Sequence, residues 1–336
     1  MTGPDLPPDV STAAGATAGR GSRWLRSRRD QGSLVPTRLV PYLALIVVVV
    51  FFTATGGTRF LSLDNASFLL QQSAIIAIPA FGVTLVIIAG SIDLSIGSVV
   101  ALTGVVAAVV AETYGPIPGI GAAILVGLAA GSFNGVVFSI FKVPSFMVTL
   151  GMLSIARGLT IIVSASQPIN VDSTFQVIGR MPGILVLFVV CFIGATILLN
   201  YSTFGRQAVA IGGQERVARL SGVPITRLKV MLFVFAGFMS AIGGVALTAR
   251  VGAATPTAAV GLELACITAV VLGGTPLTGG IGSMTNTVVG AFIISILLNG
   301  MVILGVPSEI QLVVQGLVLV GAVYLSLERT KIGIIK

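Results

Sequence analysis

Gly90-Ser91-Ile92-Asp93-Leu94-Ser95-Ile96-Gly97-Ser98 interrupts an otherwise apolar stretch, and Gly273-Gly274-Thr275-Pro276-Leu277-Thr278-Gly279-Gly280-Ile281-Gly282-Ser283 does the same in the second half of the chain. Each follows one hydrophobic run and leads into another. Inside a bilayer the backbone must satisfy its own hydrogen bonds. Non-helical backbone therefore survives there only where protein buries it or where it lines a cavity. Two broken segments in corresponding positions of two halves point to a transport site. The expected fold class is an all-α membrane protein of about ten transmembrane helices with two glycine-rich interruptions.

Composition agrees. Hydrophobic residues make up 55% of the 336 and charged residues 9%, against roughly a quarter charged in an average soluble protein. Apolar runs fall at 39–55, 68–89, 95–111, 118–141, 145–165, 183–200, 230–250, 262–273, 284–304 and 310–327. With no His and only Cys191 and Cys266, both in apolar runs, the chain offers no His-based metal site, no Ser-His-Asp triad and no disulfide framework.

The net charge of +8 is explained by position. Arg20, Arg23, Arg26, Arg28, Arg29 and Arg38 precede the first run. Lys142, then Arg206, Arg216, Arg219, Arg227 and Lys229, then Arg329, Lys331 and Lys336 fall on the same side if all ten runs span. Only Arg59, Arg180 and Arg250 fall opposite, and Arg157 lies within a span. The positive-inside rule then makes the first side cytoplasmic, with both termini there. Residues 1–37 read as a disordered basic cytoplasmic tail, with too little to bury for a folded nucleic-acid module and too long a charged stretch for a cleavable signal. Residues 38–336 read as the transmembrane permease domain, with a cytoplasmic loop over 201–229 and an outer loop over 166–182.

Three charges fall near hydrocarbon. Asp93 is a pathway or hinge candidate; the simpler reading is that Asp93 or Ser95 caps the helix that starts near 95. Arg157 and Glu263 are expected to be held by structural pairing, Arg157 by snorkelling or by a carboxylate across helices. Ser154 and Thr160 are expected to bond back to their own helix. Pathway or helix-break candidates are Ser91, Asp93, Ser95, Gly97, Gly273, Gly274, Gly279 and Gly280. In the loop, residues 212–222 can form a short amphipathic helix punctuated by Gly213 and Gly222, with Val217 and Leu220 on one face and Arg216 and Arg219 on the next. A weak repeat adds Asn134-Gly135, Val143-Pro144-Ser145 and Gly151 against Asn299-Gly300, Val306-Pro307-Ser308 and Gly316.

These stretches resemble a known family. The 90–98 segment resembles the first motif of ribose-type (monosaccharide) ABC importer permeases, and Ala269–Ser283 resembles their second signature. The loop from Gly212 to Gly222 resembles the coupling segment, related to Glu-Ala-Ala-x-x-x-Gly, that such permeases present to their ATPase. Here Arg216-Val217-Ala218 stands in place of Glu-Ala-Ala, with Glu215 one position earlier, while Ala218 and the closing Gly222 are kept. The resemblance implies that Gly213, Glu215, Arg216, Ala218, Arg219, Leu220 and Gly222 face the ATPase. It implies as partners cytoplasmic ABC ATPase subunits, an extracytoplasmic solute-binding protein and a second permease copy or paralogue. The membrane subunit itself is expected to be no enzyme, to bind no nucleic acid and to need no cofactor. ATP is expected on the separate partner subunit, since the chain lacks a Gly-x-x-x-x-Gly-Lys-[Ser/Thr] phosphate loop. The implied solute is small, neutral and polar, a monosaccharide. The alternative is an ion-coupled secondary transporter, which would place Asp, Glu or His deep in several helices.

Overall fold

The computed structural model describes residues 39–334, so the expected basic tail at 1–37 lies outside the described residues. The described helices are α1 Val40–Phe60, α2 Leu63–Ile88, α3 Ile96–Tyr114, α4 Pro116–Ser139, α5 Ser145–Val163, the short α6 Ser173–Gln176, α7 Gly183–Asn200, α8 Thr203–Leu220, α9 Ile225–Val251, α10 Leu262–Leu272, α11 Met284–Ile303 and α12 Ser308–Ile334. Nine are long and apolar enough to cross a membrane among the described residues. All ten apolar runs become helices. The eighth, α10, has only 11 residues and rises about 16 Å, half of a bilayer's hydrocarbon thickness. It is a half-span rather than the full span that the ten-run threading assumes.

Local signals set the boundaries. Ser62, Ser202 and Ser283 open α2, α8 and α11, each hydroxyl accepting an amide three residues on, and Pro116 opens α4, where its missing N–H costs nothing. The Asn-Gly pairs of the weak repeat occupy equivalent places. Asn134 and Asn299 sit in the last two turns of α4 and α11, and Val-Pro leads from each into a helix that starts at Ser145 or Ser308.

From Pro41 onward the chain forms one compact unit. At its centre is α2, whose residues from Ser73 to Ile88 are all buried. The tightest pair is α4 against α9. A Cβ at Gly131 would overlap the Phe233 carbonyl, one at Gly127 would come 2.7 Å from the Ala241 side chain, and one at Gly135 would come 2.8 Å from Val230 Cα. Small residues every fourth position let two backbones touch, which is how helices associate where no water drives them together. The outer faces of α1, α5, α7 and α12 are broadly apolar and exposed, with Val47, Ile162, Val190 and Leu317 all well over half exposed. Such faces fit contact with lipid or another membrane subunit.

The 166–182 loop is ordered. Ile169–Asn170 pairs antiparallel with Ala253–Ala254, Asp172 caps α6 by accepting from the Phe175 amide, and Phe175 is fully buried.

Candidate functional site

The first interruption begins where α2 ends. Gly90 lies at φ 74°, its amide donates to the Ile87 carbonyl and the Ser91 amide to the Val86 carbonyl. This is the bonding pattern of a helix terminated through a left-handed residue, the conformation glycine adopts most readily. The second interruption repeats it at the end of α10: Gly274 lies at φ 90°, its amide bonds to Val271 and the Thr275 amide to Val270. The same motif also ends α8 at Gly222 and α11 at Gly305, so it marks clean termination and is not peculiar to the interruptions.

Ser91, Asp93 and Ser95 are all buried. The Asp93 Oδ1 accepts from the Ser95 amide at 2.9 Å and from the Ser95 hydroxyl at 2.6 Å, and Asn134 Nδ2 donates to that same hydroxyl at 2.9 Å. The expected helix cap is therefore corrected. Ser95 occupies the N-cap position of α3 without a side-chain capping bond, and Asp93 acts two residues upstream, holding the turn into the helix. The carboxylate is short and the turn tight, so its nearest donors are the groups of Ser95 and not the next-turn amides. One end of the interruption is tied elsewhere: the Ile92 amide donates to the Ser145 hydroxyl at 3.3 Å.

Gly97, in the first turn of α3, meets the start of α10 instead. A Cβ there would overlap Glu263 Oε2 and stand 2.8 Å from the Ala259 carbonyl. Glu263 stands in the first turn of α10, where the helix N-terminus favours a carboxylate, but its buried Oε2 has no hydrogen-bond partner among the described residues. Arg157 is structurally paired, as expected, but its partners differ. Its guanidinium donates to the backbone carbonyls of Pro256 at 3.3 Å and Ala258 at 2.8 Å, not to a carboxylate. Residues 255–261 are irregular, and one guanidinium nitrogen, Nη1, serves two of their carbonyls. Ser154 and Thr160 do bond back to their own helix, to Leu150 and Ala156.

The two interruptions meet. The Gly280 amide donates to the Ile88 carbonyl at 2.8 Å, and a Cβ at Gly279 would come 2.8 Å from both Gly90 N and the Ile88 oxygen. Gly273 faces away from this contact, packed on the Asn286 carbonyl of α11 at 2.5 Å from where its Cβ would lie. A third segment joins them: a Cβ at Gly212 of α8 would overlap the Ile88 carbonyl oxygen and stand 2.5 Å from Gly280 N, and one at Gly280 would come 3.1 Å from Gly213. Gly212 opens the 212–222 segment read from sequence but, like Ile88, is not among the candidate site residues. The adjacent Gly212-Gly213 pair was the available signal.

The loop helix is likewise sharper than its spacing suggests. α8 is two segments, broken at Gln214 (φ −162°, ψ 100°) and not at Gly213, while Gly222 at φ 82° does end the second. Glu215 is held by Lys229 at 2.7 Å and Arg219 at 2.9 Å, and the Lys229 ammonium lies 4.8 Å over the Phe138 ring. The Lys229 hydrogen bond, with help from Arg219, keeps the Glu215 carboxyl below its ordinary pKa. Ala218 is buried against the body, whereas Arg216, Val217, Arg219 and Leu220 point outward, Leu220 being 81% exposed.

Comparison with known proteins gives this arrangement a context. Residues 65–323 match the family described as branched-chain amino acid transport system / permease component. The chain is 39% identical over 305 residues to the ribose import permease protein RbsC of Bacillus subtilis (strain 168), covering 88% of this chain and 94% of that one. It is 36% identical over 292 residues to RbsC of Escherichia coli (strain K12), covering 84% and 91%. It is 35% identical over 299 residues to the L-arabinose transport system permease protein AraH of the same strain, covering 85% and 88%. No solved structure matches the chain. An ion-coupled secondary transporter is thereby set aside, and the chain belongs to the ribose-type ABC importer permease family, as an integral membrane transport subunit and not an enzyme.

Proposed function

We propose that this chain forms the transmembrane path of an ATP-driven importer for a neutral monosaccharide. The observation that carries the reading is near-full-length similarity to RbsC and AraH, permeases named for ribose and L-arabinose. The charge pattern supports it. A path for a strongly charged solute needs several matching charges at depth, whereas Asp93 is bound to Ser95 and Arg157 to backbone, which leaves Glu263 as a single carboxylate of the three.

In this reading a separate ATPase supplies the energy on the cytoplasmic side, a solute-binding protein delivers sugar from outside, and a second permease copy or paralogue completes the path. The exposed face of residues 215–220 docks the ATPase, and Ser91, Asp93, Ser95 and Gly97 shape the path at the first interruption. The excess of Lys and Arg in the 201–229 loop supports a cytoplasmic position for it, and a cytoplasmic position for both termini follows if the half-span α10 and the 273–283 interruption together cross the membrane. The test is uptake of labelled pentoses and hexoses by vesicles holding permease, ATPase and binding protein. ATP-dependent accumulation of at least one of them supports the reading. Uptake of amino acids or inorganic ions with none of any sugar overturns the solute while leaving the family membership intact.

A further inference from the structure

Three backbone segments from distant parts of the chain converge on one point. Ile88 ends α2, Gly279-Gly280 belong to the second interruption and Gly212-Gly213 to α8. The contacts are backbone to backbone. Gly280 N–H bonds to Ile88 O at 2.8 Å, Gly212 has no room for a Cβ against that oxygen, and Gly280 packs on Gly213. Gly282 differs in packing on a side chain, since a Cβ there would come 2.6 Å from the Ile88 side chain. Contacts between main chains carry no rotatable side chain, so a displacement of one segment cannot be absorbed by a rotamer change. Immediately after Gly213 the helix breaks at Gln214, and the outward-facing residues 215–220 follow.

We propose that Gly212 is a positioning residue that joins the loop helix rigidly to both interruptions, so that a push on residues 215–220 shifts the end of α2 and the 278–280 turn together. This rests on the reading of 215–220 as the ATPase docking face. The alternative device, in which the loop acts on one span through side chains, would need room at Gly212 that the geometry denies.

The test measures distances in the assembled complex of permease and ATPase in lipid. Spin labels go on Gln214→Cys and Thr278→Cys, both exposed, and the native Cys191 and Cys266 are buried and stay unlabelled. A second pair joins Gln214→Cys to Tyr114→Cys, exposed at the end of α3. Between nucleotide-free and vanadate-trapped states the 214–278 distance is expected to stay fixed while 214–114 shifts by about 2 Å or more, the scale of interface helix movements. Adding Gly212→Ala should free the joint, so that 214–278 now shifts on trapping and sugar uptake per ATP hydrolysed falls while the ATPase still co-purifies. A 214–278 distance that changes in the otherwise unaltered chain, or stays fixed with Gly212→Ala, overturns the proposal. If neither pair moves and Leu220→Asp retains the ATPase as well as the unaltered chain does, the docking reading has failed and the joint loses its role with it.

Discussion

Asn134 Nδ2 donates to the Ser95 hydroxyl at 2.9 Å, and Ser95 in turn donates to Asp93 at 2.6 Å. This relay crosses from α4 to the first interruption and fixes the turn that starts α3. All three residues are buried, so each depends on the others for hydrogen bonds that water does not replace.

Asp93 therefore acts as an acceptor before it acts as a charge. Asn in its place keeps an oxygen for both Ser95 donors, whereas Leu leaves them unpaired at a cost of about 1–3 kcal/mol each. Asp93→Asn is expected to transport close to normally and Asp93→Leu to lose most transport and several degrees of thermal stability in detergent. Equal, severe loss in both, with stability retained, would instead require a negative charge in the path.

Gly131 and Gly151 offer a paired test of packing. A Cβ at Gly131 overlaps the Phe233 carbonyl, while one at Gly151 meets nothing within 4 Å. Gly131→Ala should destabilise by about 1–3 kcal/mol through overpacking. Gly151→Ala should leave stability level or slightly raise it, since Ala favours helix over Gly. Thermal unfolding of the two variants separates the outcomes. Loss at Gly151 comparable to that at Gly131 would place an unseen neighbour on the exposed α5 face.

Much of this architecture is legible in sequence because membrane helices write themselves in long apolar runs and glycine breaks them. All ten runs and both interruptions follow from that. The convergence of Ile88, Gly212 and Gly280 is not legible, since backbone contacts between distant segments leave no side-chain signature beyond the glycine they demand. Asp93 misleads for a related reason: Asp two residues before a helix start and Asp at the cap look alike in sequence, and only the donor geometry separates them. Arg157 misleads because its partners are carbonyls, which every residue possesses.

Glu215 gives a pH dependence with a definite sign. Its folded carboxyl titrates below the ordinary value because Lys229 bonds the charged form. A depressed carboxylate stabilises fully above its unfolded pKa, near 4.3, and loses that contribution as pH falls through the lower folded value. The side chain is 41% exposed, so screening limits the ion pair to the surface range of about 0–1 kcal/mol. Glu215→Gln should thus unfold slightly earlier than the unaltered chain at pH 7, with the gap closing towards pH 3 and narrowing in high salt. A gap that widens in acid would contradict the assignment.

Arg157 should be needed for the order of the segment before α10. A single guanidinium nitrogen, Nη1, donates to both Pro256 and Ala258, and a Lys ammonium keeps more than one donor but on a shorter side chain. Arg157→Met is expected to raise hydrogen exchange across 255–261 and reduce transport, with Arg157→Lys intermediate. Unchanged exchange in Arg157→Met would mean that the segment holds itself.

Leu220 bears on the docking face. It is 81% exposed on a short helix whose other side is anchored through buried Ala218 and the Glu215–Lys229 pair. An apolar side chain left so open contributes little to the fold of the isolated chain, so changing it should affect a partner more than the permease. Leu220→Asp is expected to insert and unfold like the unaltered chain, yet to capture less ATPase and to lose transport and stimulated hydrolysis together. An apolar contact replaced by a charge at an interface core costs enough to lower affinity by about tenfold or more. Co-purification of the ATPase with each variant, alongside thermal unfolding of the permease alone, reads both halves of the expectation. Normal capture and transport in Leu220→Asp would move the docking surface away from residues 215–220.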